Sequence, residues 1–487
     1  MSVKITAVFF AAIIGFTSVA VGEERKPNIV FFFIDDLGWS DLGCYGSQYH
    51  LTPNIDALAG RGMRFTDGYA ACPVCSPTRA ALMTGKFPAR LGITDWIGAA
   101  QRRNILVTPK NVAALPQEEI TFAEVLGKAG YATAYFGKWH LGANDGDHPD
   151  SQGFHYHRGV NRAGAPGSYH YPFRRKNNPG GKPAAHDVPD FGEAPKESYL
   201  TDLLADEAVE FIEKSKQDPF LLLLAHYSVH TPIQARGRDV AQYSDRLEKL
   251  GLPADVGMRP EKHGHTRTTQ NNPAFAAMVA SVDRSVGKVL GKVRELGLEG
   301  ETLVIFTSDN GGLSTLPAKR KAPTSCLPLR AGKGWLYEGG VRVPTIVSWP
   351  GVTKPGSVSS VPVVTTDFYP TLLAAAGLPL RPAQHLDGVD LTPLLKGGAL
   401  DPRALYWHYP HYHGSANRPS ASIRKGDYKL VRWYEDGSEE LFNLADDLSE
   451  TRDLAARQGV KRGELAAELD RWLKSVKAKM PVPVTKN

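Results

Sequence analysis

Two acidic pairs, Asp35-Asp36 and Asp309-Asn310, each follow a short apolar run. Together they offer three carboxylates and one amide carbonyl, the oxygen ligands that a hard dication takes. Calcium suits an oxygen-only set, with magnesium as its main rival. Asp and Asn are also common turn formers and helix caps, so either pair alone would say little. A second group could act on an anion. Lys138 and Lys333 are point charges suited to anionic oxygens, and His140 and His230 can give or take a proton near neutral pH. Cys75 opens the stretch CSPTRAALMTG, which ends at Gly85. Pro77 fits the first turn of a helix, which would set residue 75 near a positive helix end, a favourable place for an oxyanion. Arg79 lies about one turn further on and can reach the same region. Singly, each has an ordinary reading: a lone Cys is usually a small buried hydrophobe, and a Lys is usually solvated.

The elements that must position these residues are legible as short apolar runs rich in Val, Ile, Leu and Phe. They are 28–34, 132–136, 220–225, 302–307 and 345–349. Amphipathic stretches at 200–215 and 275–296 read as helices between them. Strands alternating with helices predict an α/β fold, a mostly parallel sheet covered on both faces. Four of the runs lead into Asp35-Asp36, Lys138–His140, His230 and Asp309-Asn310. Open α/β sheets bind ligands beyond the carboxyl ends of their strands, so distant segments are expected to converge there. Beyond residue 385 the character changes. Runs at 405–412, 422–433 and 440–444 read as antiparallel strands, and 462–477 reads as a closing helix. Residues 153–187 and 251–273 read as long loops. The expected organisation is a leader at 1–22, a catalytic domain at 23–385 and a small α+β subdomain at 386–487.

The leader is predicted from Lys4, the apolar run 5–16 and small residues at 18–22, the pattern of a secretory signal peptide. The run is short for a membrane anchor, and no later stretch is long and apolar enough to span a bilayer. The mature protein is therefore expected to be exported, periplasmic or secreted, without stable membrane insertion. The 487 residues are 42% hydrophobic and 22% charged, which is ordinary for a globular protein. A net charge of +6 is compatible with an anionic substrate and too mild for nucleic acid, for which no motif is present. The four cysteines are Cys44, Cys72, Cys75 and Cys326. Cys72-x-x-Cys75 has no second CxxC or thioredoxin-like context to make it a metal or redox pair. Disulfides remain open in an exported protein.

The Cys75–Gly85 stretch resembles the C-x-P-x-R…T-G element of the type I sulfatases, in the alkaline phosphatase superfamily. Asp35-Asp36-Leu37-Gly38 is similar to the family's first metal segment, and Ser308-Asp309-Asn310-Gly311-Gly312 to its second. Gly137-Lys138-Trp139-His140 resembles its Lys/His segment, His230-Thr231-Pro232 its later histidine element, and Lys333–Pro344 its last lysine element. The resemblance spans roughly residues 27–455, in the family's order. It implies an alkaline phosphatase-like sandwich with a small C-terminal antiparallel sheet. It also implies that Cys75 is oxidised to formylglycine (3-oxoalanine), whose hydrate attacks sulfur, and that Asp35, Asp36, Asp309 and Asn310 bind calcium. Arg79 would hold the modified residue, and His140 would take a proton as the aldehyde re-forms. Lys138, His230 and Lys333 would grip the sulfate, with His230 or Lys333 helping the leaving oxygen. The partners implied are a sulfated small molecule or glycan, a formylglycine-generating maturation enzyme and the export machinery.

Two surfaces bear on specificity. The loop 153–187 interleaves Arg158, Arg162, Arg174 and Arg175 with Tyr156, Tyr169 and Tyr171. Guanidinium groups suit sulfate or carboxylate and aromatic faces suit sugars, so this is either a subsite or a solvated loop. His408, His411 and His413 form an HxxHxH cluster with no evident carboxylate neighbour. It reads as a substrate-side wall, a structural group or a second metal site. The reading favoured is a calcium-dependent sulfatase acting on a sulfated sugar. Its rivals are a phosphate- or phosphonate-ester hydrolase of the same superfamily and a catalytically silent glycan-binding protein.

Overall fold

The computed structural model describes residues 2–3, 26–175 and 184–485. The leader expected at 1–22 therefore lies outside the described residues, apart from Ser2 and Val3. No helix among the described residues is long and apolar enough to cross a membrane.

The main sheet is built from β1 (Asn28–Ile34), β2 (Met63–Phe65), β3 (Ala132–Gly137), β4 (Tyr156–Arg158), β5 (Phe220–His226), β6 (Thr302–Ser308), β7 (Thr345–Ser348) and β8 (Ser357–Ser359). Their order is β8-β2-β7-β6-β1-β5-β3-β4. Only β7 runs against the rest. The central strands β1, β5 and β6 are buried at every position and mostly apolar because both faces are covered. Val30, Phe32 and Ile34 pack on one side with Leu204 and Phe211 of α2 (Leu200–Ser215) and Met278, Val282 and Val289 of α3 (Pro273–Glu295). Ile29, Phe31 and Phe33 pack on the other with Ala80, Leu82 and Met83 of α1 (Cys75–Thr84). The alternation is the two-residue period of a strand.

The register decides where the site can be. Ile34 at the end of β1 lies opposite Ser308 of β6 and His226 of β5, and Gly137 at the end of β3 lies opposite Ala225. Four carboxyl ends thus meet on one edge. Because β7 is reversed, Thr345 at its start pairs with Thr307. The lead-in to β7, which carries Lys333, therefore arrives at that same edge.

A four-stranded antiparallel sheet follows: β9 (Ala404–Tyr409), β10 (Ser420–Lys425), β11 (Tyr428–Trp433) and β12 (Glu439–Asn443), with α4 (Gly459–Ser475) against it. The run expected as one strand at 422–433 is two, broken at Gly426-Asp427, where Gly426 has φ +58°. The alternation carries through the tight turn, which hid the break. The loop expected at 251–273 contains an antiparallel hairpin, Met258–Glu261 with Gly264–Arg267, extended by Thr315–Leu316. Its strands are short and polar, with Pro260 among them, so no apolar period announced it.

The small sheet is locked to the large one by buried charge. Lys429 Nζ on β11 lies 2.8 Å from Glu338 and 3.1 Å from Glu450, and all three side chains are fully buried. Glu338 also receives Arg342 Nε at 2.6 Å and the Tyr69 hydroxyl at 2.7 Å. Removing one member of such a group strands the others without water. Lys429→Ala is expected to cost about 3–5 kcal/mol and to lower the melting temperature by several degrees in scanning calorimetry. Lys425→Ala, which breaks an exposed pair with Glu468, is expected to leave it nearly unchanged.

Candidate active site

The carboxylates at the strand ends are wholly buried, and each is held by its own cation. Lys138 Nζ lies 2.6 Å from Asp35 Oδ2, Lys333 Nζ 2.6 Å from Asp36 Oδ1, and Arg79 2.8–2.9 Å from Asp309 Oδ2 through Nη2 and Nε. Asn310 Nδ2 donates to Asp36 Oδ1 at 2.8 Å and to Gly311 O at 3.0 Å. Asp35 Oδ1 and Asn310 Oδ1 are buried without any hydrogen-bond partner. Buried oxygens rarely go unsatisfied, and two of them among three carboxylates suit a hard cation. The three carboxylates and three chain cations already balance. A bound dication would leave the pocket net positive, as an anionic substrate requires.

Local structure explains how each side chain is presented. Helix α1 begins at Cys75 itself, and its N-cap, Val74, makes no side-chain cap. The turn before it is fixed by Thr78, whose hydroxyl accepts from Cys72 N at 3.0 Å and lies 3.0 Å from Cys72 O. The first-turn N–H groups therefore carry a partial positive charge beside residue 75. The Cys75 sulfur lies within 4.8 Å of carboxylate oxygens of Asp35 and Asp309. Arg79 Nη1 donates to Lys138 O at 2.7 Å, and the Tyr135 hydroxyl donates to the same carbonyl, so the helix is tied to the end of β3. Asp36 and His140 have φ of +59° and +58°, a region non-glycine residues seldom occupy and one typical of functional positions.

The electrostatics follow from burial and these pairs. Burial pushes the Asp35 carboxyl well up, with Lys138 pulling against it and Asp309 and Asp36 adding to the push. For Asp36 burial is outweighed by Lys333 and His230, which hold it below the usual carboxylate range. Burial opposes the charge on Lys333, yet Asp36 holds its ammonium well above the usual range. Burial and then Lys333 push His230 down to about 3, and burial and then Lys138 push His140 well down. His140 Nε2 faces the Ile97 carbonyl at 3.0 Å and must donate to it. Its buried Nδ1, without a partner, is left as a free proton acceptor. His230 Nδ1 donates to Thr231 O at 2.7 Å, leaving Nε2 3.7 Å from Asp36.

All ten residues singled out in the sequence come together. Asp36, Cys75, His140, His230 and Lys333 line one cleft of about 290 Å³. Asp35, Arg79, Lys138, Asp309 and Asn310 are fully buried behind it. The three histidines of the HxxHxH cluster part company. His408 is bonded to Tyr434 and Lys479 O, and His411 to Thr94 with Asp95 3.8 Å away. His413 alone lines the cleft. Among the described residues the metal-competent groups are Asp35/Cys75/Asp309 and Asp35/Asp36/His230, and the three histidines are in neither, although His411 does have a carboxylate neighbour. The loop at 153–187 gives the cleft Gly164, Ala165 and His186 rather than its arginines. Arg158 and Arg162 pair with Glu207 and Asp145. Arg174 and Arg175 border a separate groove. Trp96, Arg102 and Arg320 also line the cleft, with no sequence pattern to single them out.

Residues 27–378 match the Sulfatase family, and residues 331–479 match N-sulphoglucosamine sulphohydrolase, C-terminal. Human arylsulfatase A (Homo sapiens) is 36% identical over 436 residues, covering 88% of this chain and 79% of its own length. N-acetylgalactosamine-6-sulfatase of Sus scrofa is 34% identical, with 88% and 75% covered. The solved structure of Ps i-CgsB in complex with k-i-k-neocarrahexaose superposes with a TM-score of 0.74 at 31% identity, covering 92% of this chain and 93% of that one. PsFucS1 sulfatase from Pseudoalteromonas sp. gives 0.69 at 27% identity, covering 93% and 91%. The chain belongs to the sulfatase family and is a type I sulfatase, an enzyme of the sulfuric ester hydrolase class.

His140 is packed against Gly164, where an added Cβ would overlap the imidazole ring. Gly164→Ala is expected to displace the ring and lower kcat by about tenfold or more, with little change in melting temperature. An unchanged kcat would show that the position of His140 is not critical.

Proposed function

We propose that the chain hydrolyses a sulfate ester on a sulfated carbohydrate, through formylglycine made from Cys75, with calcium held by Asp35, Asp36, Asp309 and Asn310. The observation that carries this reading is the position of Cys75, at a helix start and within reach of the buried Asp35 and Asp309 carboxylates, where Asp35 Oδ1 and Asn310 Oδ1 are left unpartnered. Formylglycine supplies, as its hydrate, a hydroxyl for attack on sulfur and a second hydroxyl through which the aldehyde returns. Calcium supplies polarisation of the sulfate and neutralises its charge. Lys138 and Lys333 hold anionic oxygens, and His140 Nδ1 is the acceptor free to take a proton at residue 75. Lys333 keeps its charge at the cleft wall, where the leaving oxygen gains negative charge, and His230 presents Nε2 beside it.

The substrate class draws on the relatives. One is named for a sulfated N-acetylgalactosamine and another was solved with a neocarrahexaose. Export fits the same reading. Every residue of α1 is buried, so a maturation enzyme must reach Cys75 while the chain is unfolded, before or during translocation of a precursor carrying the 1–22 leader to the periplasm or medium.

Cys75→Ala is expected to lower turnover of sulfate esters by about four orders of magnitude or more while the protein folds normally. Near-normal turnover by that variant would sink the mechanism. Sulfate esters should also be turned over far faster than phosphate or phosphonate esters of the same alcohol, and the reverse order would point to the rival hydrolase. Dialysis against a chelator should abolish activity, and calcium should restore more of it than magnesium.

A further inference from the structure

Two guanidinium groups on the cleft wall have no part in the reaction centre. Arg102 and Arg320 line the same cleft as Cys75 and Lys333 from segments far apart in sequence, and both are exposed. Neither has an ion-pair partner among the described residues. Many other surface arginines hold a carboxylate, Arg158, Arg162, Arg284 and Arg294 among them, and exposed ones that hold none, such as Arg103, Arg381 and Arg471, do not line the cleft. The acid nearest Arg102 along the chain, Asp95, is committed to the Tyr409 hydroxyl at 2.8 Å and Trp96 N at 2.9 Å. Among the described residues the one carboxylate on the cleft wall, Asp36, is taken by Lys333. The charge of Arg102 is felt by Asp95 as well as by His413, and Arg102 and His413 both line the cleft. Arg320, with Thr231, Leu313 and Leu316, also borders a neighbouring groove of about 400 Å³ that carries Lys321. A substrate longer than the scissile sugar would leave the cleft past it.

A sulfate held at Lys138, His230 and Lys333 would leave both guanidinium groups free. Guanidinium is the side chain best matched to planar or tetrahedral oxyanions. We propose that Arg102 and Arg320 form a second anion subsite, which selects substrates bearing a further sulfate or carboxylate beside the scissile sulfate. This rests on the sulfatase reading above.

The test measures inhibition of p-nitrophenyl sulfate hydrolysis by three disaccharides of one skeleton: monosulfated, disulfated, and monosulfated with a uronate. Wild type, Arg102→Gln, Arg320→Gln and the double variant are compared. Wild type is expected to bind at least one doubly anionic disaccharide about tenfold more tightly than the monosulfated one. Each single variant should lose about fivefold of that preference, and the double variant most of it. Loss confined to the disulfated ligand assigns the subsite to sulfate, and loss confined to the uronate assigns it to carboxylate. No preference in wild type, or a preference intact in the double variant, overturns the subsite. No hydrolysis of any sulfate ester by wild type removes the sulfatase reading, and the subsite with it.

Discussion

Three carboxylates cannot be buried together at the end of an apolar sheet unless each is given a cation, and that constraint organises this protein. An isolated buried charge costs several kcal/mol, and removing one partner of a buried pair leaves the other uncompensated. Asp35, Asp36 and Asp309 arrive on β1 and β6, whose register brings their ends level. Their cations come from α1, from the end of β3 and from the lead-in to β7. Five stretches of chain are thereby tied to one point. The site and the strand order are thus two views of one electrostatic requirement.

The reversed strand β7 and the C-terminal sheet serve that requirement together. Lys333 sits on a segment with no regular structure of its own, so it must be braced. Lys333 N donates to Gly312 O at 2.9 Å and Gly334 N to Pro73 O at 2.8 Å. Trp335 and Tyr337 then pack with Val431, Trp433 and Phe442 of the small sheet, and Trp335 Nε1 donates to Ser415 O at 3.0 Å. The buried Glu338–Lys429 pair closes the brace from below. The small sheet thereby fixes the position of a charge on the cleft wall.

Much of this was legible in the residues, and the rest was not for physical reasons. The central strands could be read because burial on both faces makes them near-continuous apolar runs, and α2 because its buried stripe keeps the helical period across all of Leu200–Ser215. The site residues could be read because strand ends are where such sheets collect polar groups. The strands of the hairpin at 258–267, MRPE and GHTR, carry no apolar alternation. The break in 422–433 is a two-residue turn that preserves alternation. Arg102 and Arg320 carry no local signature, since what sets them apart is a place on the cleft wall without an ion-pair partner, which only three-dimensional placement reveals. His408, His411 and His413 had one spacing but three different surroundings, because β9 ends at Tyr409 and the chain beyond it no longer keeps one face.

The account turns on what residue 75 is in the mature protein. The measurement that bears on it most directly is the mass of the peptide containing Cys75, taken from protein made in its native host and without alkylation. The account predicts replacement of the thiol-bearing CH2SH by an aldehyde, seen as a loss of mass and as reaction of the peptide with a carbonyl reagent. A peptide carrying an intact thiol in active enzyme would contradict it.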